Sequence, residues 1–470
     1  MFSRRDFLDC LWKASAASVY PGANRPKIRT PLQLRLAKGE PTEVPKNFPG
    51  LGYEMSSVAT PGLLSAANQR YVELVRGLGA SGVLRIGGIV ANYTRYDPEG
   101  KAEFAPTNTV VTRASLEQFA QFLDKVGWTA IWSLNFAQGT LPQAIEEARS
   151  VAHILGPRLL ALEIGNEVDS YGSAQRFRPS SWDYAAYLSE FEVWQEAIAK
   201  AIPGIRFAAP DTAHAVNWVE QMARDAPDKV QLLTTHYYRN GQVHGSQEQL
   251  LTPDPRLEDI AARLRFASKQ SGIPWRICEM NSFSGGGRPG VSNTFVGALW
   301  TLKVMLLLAQ SGCSGVNIET GVNQLGFVSS YSPIQDNGSG TNSAGVPYYG
   351  MLAFARAFVG CHQMLPLETA SEESPLAAYV FGAEGKPRSL VVMNTHFTLD
   401  ADLSVAGLGM KHASILRLLA PNPSSTTGVT FGGASVDDAG TWRPIEDEAV
   451  HREIVSVPAM SAAILVTDKG

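Results

Sequence analysis

Leu162-Glu163-Ile164-Gly165-Asn166-Glu167-Val168-Asp169 is a short apolar run that stops abruptly on an Asn-Glu pair. Trp275-Arg276-Ile277-Cys278-Glu279-Met280-Asn281 repeats the form, another apolar run ending on a glutamate. Runs of this length bounded by polar residues read as buried strands, each with a carboxylate at its C-terminal end. Their surroundings decide whether those two ends meet.

From Gly50 onward, short apolar run, loop and long amphipathic stretch alternate. The pattern predicts strands over 51–55, 83–86, 129–134, 159–164, 206–209, 232–237, 274–279 and 315–319. Helices are predicted over 68–78, 116–126, 141–155, 182–202, 216–226, 257–271, 291–311 and 348–359. The fourth is the clearest, with Tyr187, Phe191, Trp194 and Ile198 on one face at helical spacing. Eight strand–helix pairs over about 300 residues are the arithmetic of a (β/α)8 TIM barrel. A doubly wound sheet competes, but no Gly-x-Gly-x-x-Gly follows the first strand.

After Gly360 the periodicity turns from helical to alternating, with strands predicted over 378–381, 389–393, 401–405, 414–418, 453–457 and 462–466. That is a C-terminal β-sandwich, with a Ser/Thr/Gly-rich surface loop over 421–433. An early alternating strand over 32–36 precedes the barrel and is expected to complete the sandwich. The expected organisation is an N-terminal tail over 1–23, the added strand within 24–46, the barrel over 47–360 and the sandwich over 361–470.

At 470 residues and 44% hydrophobic, the chain buries a large core. A net charge of −4 gives no signature of nucleic-acid binding. The most apolar segment centres on 304–309 and is too short to span a membrane. Ser3-Arg4-Arg5-Asp6-Phe7-Leu8 resembles a twin-arginine export signal, followed by small residues over 14–19. As a signal it implies a periplasmic or secreted protein without residues 1 to about 23; as a mere basic tail it implies a cytoplasmic one. Cys10 lies in this stretch. Cys278, Cys313 and Cys361 make no disulfide framework, although Cys313 and Cys361 remain candidates to pair. Strand alternation turns Cys278 away from Glu279, towards the helices.

In such a barrel the C-terminal strand ends line one face, where chemistry sits. Here they carry Glu54, Arg85, Asn135, Asn166 with Glu167, Asp211, His236 with Tyr237 and Tyr238, Glu279 and Glu319. Glu163, inside the fourth strand, is expected to face outward. Two carboxyl groups across a barrel mouth suit retaining glycoside hydrolysis, one donating a proton and the other attacking the anomeric carbon. Tyr237 or Tyr238 is placed to donate to Glu279. The eight histidines show no zinc-binding spacing, so His236 reads as an orienting or sugar-contacting residue, and neither metal nor cofactor is expected.

These motifs, with Thr235-His236-Tyr237-Tyr238, Val83-to-Gly88 and Val316-Asn317, resemble the clan A retaining glycosidases, most closely glycoside hydrolase family 79, the β-glucuronidases and heparanases. The resemblance runs from about Gly50 to the C-terminus. It implies Glu167 as acid/base, Glu279 as nucleophile, and Glu54, Asn166 and Tyr237 as contacts to sugar or nucleophile. In the glucuronidases the loop after the nucleophile carries a tyrosine that binds the uronate carboxylate with glycine amides. Here the loop reads Asn281-Ser282-Phe283-Ser284-Gly285-Gly286-Gly287-Arg288, with Ser284 in the tyrosine's place. Gly285 and Gly286 keep the backbone nest, Arg288 offers charge, and Tyr331 matches a second carboxylate-binding tyrosine. The expected partner is a β-glycoside, uronate-terminated and cut from its end. A neutral hexoside and a non-catalytic sugar-binding protein are the alternatives.

Overall fold

The computed structural model describes residues 26–101, 109–321, 329–336, 341–369, 376–410, 412–445, 448–450 and 453–467. The twin-arginine-like stretch and Cys10 lie outside them.

After an initial strand, β1 (Lys27–Leu36), eight parallel strands close into a barrel: β2 (Gly50–Glu54), β3 (Val83–Gly87), β4 (Thr129–Leu134), β5 (Leu159–Ile164), β6 (Phe207–Thr212), β7 (Leu232–Gly241), β8 (Trp275–Ser284) and β9 (Val316–Glu319). Each is followed by its principal helix: α1 (Gln69–Gly77), α2 (Arg113–Val126), α3 (Leu141–Leu155), α4 (Tyr184–Ala201), α5 (Val216–Asp225), α6 (Pro255–Ser271), α7 (Phe295–Gln310) and α8 (Val346–Phe358). The expected TIM barrel is therefore the observed one. Local chemistry starts these helices where they are needed: the Asp183 carboxylate accepts the Ala186 amide at the head of α4, and Thr112 forms a capping box with Ser115 at the head of α2. Helix α7 is apolar on nearly every side because it is sandwiched in the interior. No described helix is long and apolar enough to cross a membrane.

The barrel interior is layered. At the bottom, Arg276 donates to the carbonyls of Phe48 and Val316 and to Asn317, and Asn317 donates to the carbonyls of Leu51 and Val83. A side chain at Gly315 would collide with the Arg276 guanidinium, its β-carbon falling 1.8 Å away. Val83, Ile131, Ala161, Ala208, Leu232 and Cys278 form an apolar layer above. The top layer is ionic and is the site described below.

The presence of Cys278 in that interior layer corrects the expectation that it faces the helices. Between β7 and β8 the register slips: Thr235 pairs with Ile277, but His236 pairs with Glu279. Cys278 is the extra residue of a β-bulge, so it and Glu279 both point inward. Strands β7 and β8 also run on to Gly241 and Ser284, past their predicted ends, because they keep pairing with each other.

After the barrel come β10 (Gln363–Leu365), β11 (Leu367–Thr369), β12 (Leu376–Ala383), β13 (Lys386–Asn394), β14 (Asp400–Ser404), β15 (Ala413–Leu419), β16 (Ile454–Val457) and β17 (Ser461–Thr467). The larger sheet contains β10, β12, β13, β17 and β15 in that order. The smaller has the order β11-β1-β14-β16, so the N-terminal strand does enter the sandwich, parallel to β14 and antiparallel to β11. Leu32 and Leu34 of β1 pack with Leu403, Val455, Leu390 and Leu465 between the sheets. The other face of the larger sheet lies on the barrel, where Phe381 meets Phe354 of α8 edge-on at 5.5 Å. Cys278, Cys313 and Cys361 are buried free thiols, so Cys313 and Cys361 do not pair.

Candidate active site

Glu167 directly follows Asn166 beyond β5, in a left-handed backbone conformation at φ 53°. Its amide donates to the Asp211 carbonyl at 2.9 Å. Two residues on, the Asp169 carboxylate accepts the amides of Ala213, His214 and Ala215 at 2.7–2.9 Å. These bonds staple the glutamate's loop to the end of β6. The Glu167 side chain is half-buried, with Gln175 donating to Oε2 at 3.1 Å. Gln175 is itself held by Asn92, and Asn92 by the Tyr171 hydroxyl, each at 2.9 Å.

Glu279 stands opposite. One of its oxygens lies within 4.8 Å of an oxygen of Glu167. The Tyr238 hydroxyl donates to Oε1 at 2.8 Å, and Arg85 donates to Oε2 at 2.9 Å. Arg85 is fully buried and also reaches Glu163 at 2.9 Å, Asp211 at 2.5 Å and the Asn166 amide oxygen at 2.8 Å. Burial opposes the Arg85 charge, but Asp211, Glu163 and Glu279 outweigh it and hold the guanidinium charged. His236 bridges the two halves. Its Nε2 lies 2.9 Å from Asp211, and its Nδ1 lies 3.4 Å from Glu167 and 3.8 Å from Glu279. Burial again opposes the charge, yet Asp211 and Glu279 raise the imidazole pKa well above its ordinary value. Together the bonds hold Glu279 from two sides and leave Glu167 on the open side.

Glu163 corrects a second expectation. It is wholly buried inside the barrel, on Arg85 and on the Ser133 hydroxyl at 2.6 Å. Tyr237 is the third: its hydroxyl donates to Asp254 and Arg256 covers its ring, on the side away from the carboxylates. Alternation along β7 sends His236 and Tyr238 inward and Tyr237 outward. Tyr238→Phe should therefore lower kcat about 10–100-fold by removing its bond to the Glu279 carboxylate. Tyr237→Phe should leave kcat within about two-fold. Steady-state rates of the two variants check this, and equal losses would contradict the assignment.

The remaining expected residues fall as follows. Glu54 is buried at the end of β2 and accepts the Val90 amide at 2.8 Å; a β-carbon on Gly88, whose φ is +67°, would lie 2.2 Å from its carboxylate. Asn135 is not among the clustered groups, since its amide donates to the Thr94 carbonyl. Ser284 is half-buried at the end of β8, and Gly285, Gly286 and Gly287 all take positive φ. The turn is anchored from Ser330, which donates to the Gly286 carbonyl through both amide and hydroxyl. Arg288 is exposed, but its guanidinium donates to the carbonyls of Val243 and Gly245. It ties down the neighbouring loop. Tyr331 is brought in, buried beside Tyr238 with ring centroids 6.2 Å apart. Glu319 is buried near Glu279 and Glu54, and burial and their repulsion push its pKa well above the usual range.

No family model matches the chain. A β-glucuronidase of Aspergillus niger is 26% identical over a 484-position alignment spanning 87% of each chain. A β-glucuronidase of Neurospora crassa is also 26% identical, over 63% of this chain and 64% of that one. A 4-O-α-L-rhamnosyl-β-D-glucuronidase from Fusarium oxysporum has the same fold, with TM-score 0.74 and 18% identity over 93% of this chain and all of that one. This chain is a glycoside hydrolase. It is β-glucuronidase-like, and the groups clustered at its barrel mouth stand mostly at the predicted strand ends. Gln175, Asn92 and Tyr171 were not foreseen. They sit in loops beyond the strands, where no periodicity marks them.

Proposed function

We propose that the hydrolase is an exo-acting retaining β-glucuronidase of glycoside hydrolase family 79, with Glu167 as acid/base and Glu279 as nucleophile. The observation that carries the reading is the approach of the two carboxylates, oxygen to oxygen within 4.8 Å. That fits the separation of about 5–5.5 Å between carboxyl groups in retaining enzymes and falls short of the about 6.5–9.5 Å that inverting enzymes keep for an attacking water. Glu167 gives its proton to the glycosidic oxygen while Glu279 attacks the anomeric carbon, and the aglycone leaves as an alcohol. Glu167, now ionised, takes a proton from water, which attacks the same carbon and releases Glu279. The ion pair and the tyrosine bond suit Glu279 to attack as an anion.

The glucuronide preference draws on the names of the two relatives and on the glycine turn after Ser284 with Tyr331 alongside. Two observations favour a neutral hexoside instead. Arg288 is spent on backbone carbonyls, and serine replaces the expected tyrosine at Ser284. A panel of p-nitrophenyl β-glycosides decides between them. Glucuronide hydrolysis well above glucoside and galactoside is expected, and turnover of neutral sugars alone would overturn the uronate reading. Binding without turnover of any member would leave only a sugar-binding protein.

Glu167→Gln should still release a first burst of nitrophenol, because that leaving group needs no proton. Steady-state turnover should fall about 10²–10⁴-fold for want of a base. Alkyl glycosides should lose activity altogether, and unchanged alkyl glycoside turnover would remove Glu167 from its role.

A further inference from the structure

Glu167, His236 and Glu279 each offer one ligand atom, and the three atoms lie within 4.8 Å of one another. The His236 Nδ1 is 3.4 Å from one carboxylate oxygen and 3.8 Å from the other. Ligands at about 2.0–2.1 Å from a tetrahedral zinc ion stand about 3.4 Å apart. The other imidazole nitrogen, Nε2, is on the buried Asp211 carboxylate at 2.9 Å. A carboxylate behind a histidine orients the ring for coordination and strengthens the ligand. Glu167 is the most exposed of the three, so the trio is reached from its side. Charge also fits. Four carboxylates, Glu163, Asp211, Glu167 and Glu279, face two basic groups, the Arg85 guanidinium, which contacts three of them, and His236.

We propose that these three residues form an inhibitory site for a borderline divalent transition-metal ion, with zinc as the probe. The ion takes Nδ1 and one oxygen from each glutamate, and any proton on Nδ1 goes to solvent. Calcium and magnesium fit poorly, since they want six or more oxygens. A second trio, Glu163, Asp211 and Cys278, lies just beneath. It is sealed from solvent, and Arg85 holds both of its carboxylates, whereas in the first trio Arg85 holds Glu279 but not Glu167. Metal binding stands on this geometry alone. That a bound metal stops turnover rests on the functional reading above, since it would occupy both catalytic carboxylates.

The test uses the full chain in chelator-free buffer. Zinc chloride titrated in a calorimeter should bind one to one, and cobalt chloride should give the intense visible bands of four-coordinate cobalt. His236→Asn and Glu167→Gln should each weaken zinc binding about 100-fold or more, and Asp211→Asn about 10–100-fold. Glu167 is half-buried at the mouth, so its variant keeps the test valid if His236→Asn fails to fold. No saturable zinc binding at millimolar metal, or binding unchanged in Glu167→Gln, would overturn the site. Metal binding without inhibition of glycoside turnover would keep the site and remove the catalytic pair. Normal retaining turnover in an enzyme that binds no zinc would do the reverse.

Discussion

Glu279→Gln is expected to cut turnover at least about 10⁴-fold, whatever the leaving group. The amide has no charge with which to attack the anomeric carbon, so even nitrophenyl glycosides lose the first step. This separates it from Glu167→Gln, which spares that step for good leaving groups. The substitution keeps volume and shape, and its amide oxygen still accepts from Tyr238 or Arg85. Folding should therefore be little changed, and a thermal melt alongside the rate measurement checks that. A cyclophellitol-type inactivator should add covalently to Glu279 in the parent and leave the variant unlabelled by intact mass. Label on a different residue, or a variant within ten-fold of the parent, would overturn the assignment of Glu279 as nucleophile.

The largest expected loss of stability is at Arg85. Arg85→Met keeps much of the side chain's bulk but strands Glu163 and Asp211, both buried, and frees Glu279. Removing one partner of a buried ion pair costs about 3–5 kcal/mol. Here one residue partners three carboxylates, so the loss should reach at least that range, with activity falling in step. Arg85→Lys should rescue little. A single ammonium cannot reproduce a fork that reaches Glu163 through Nε, Glu279 through Nη1, and Asp211 and Asn166 through Nη2. Denaturant unfolding measures this, and a midpoint matching the parent's would show that the carboxylates do not depend on Arg85.

The barrel was legible because its strands are apolar runs spaced by amphipathic helices, and a run keeps that look wherever its exact ends fall. Glu167 and Glu279 were legible because carboxylates at strand ends have few other reasons to be there. The misreadings have separate physical causes. In a closed barrel neither face of a strand meets solvent, so the charge of Glu163 did not mean outward; it meant an internal partner, Arg85. Alternation failed at Cys278, where an inserted residue that no local composition announces turns two neighbours the same way. The choice between Tyr237 and Tyr238 was decidable, since Tyr238 shares its parity with His236. Arg288 has an exposed position and a tethered head, and only coordinates distinguish that from a free cation.

The place of β1 in the smaller sheet bears on the order in which the molecule is assembled. Lys27–Leu36 leaves the ribosome early, but its neighbours are β14 and β11, made after the whole barrel. Until they emerge, the strand has two open edges and its leucines lack a cover. Such long-range pairing forms slowly. The growing chain thus carries an adhesive segment until the sandwich strands are made, and those later strands act as an intramolecular guardian for the earlier one.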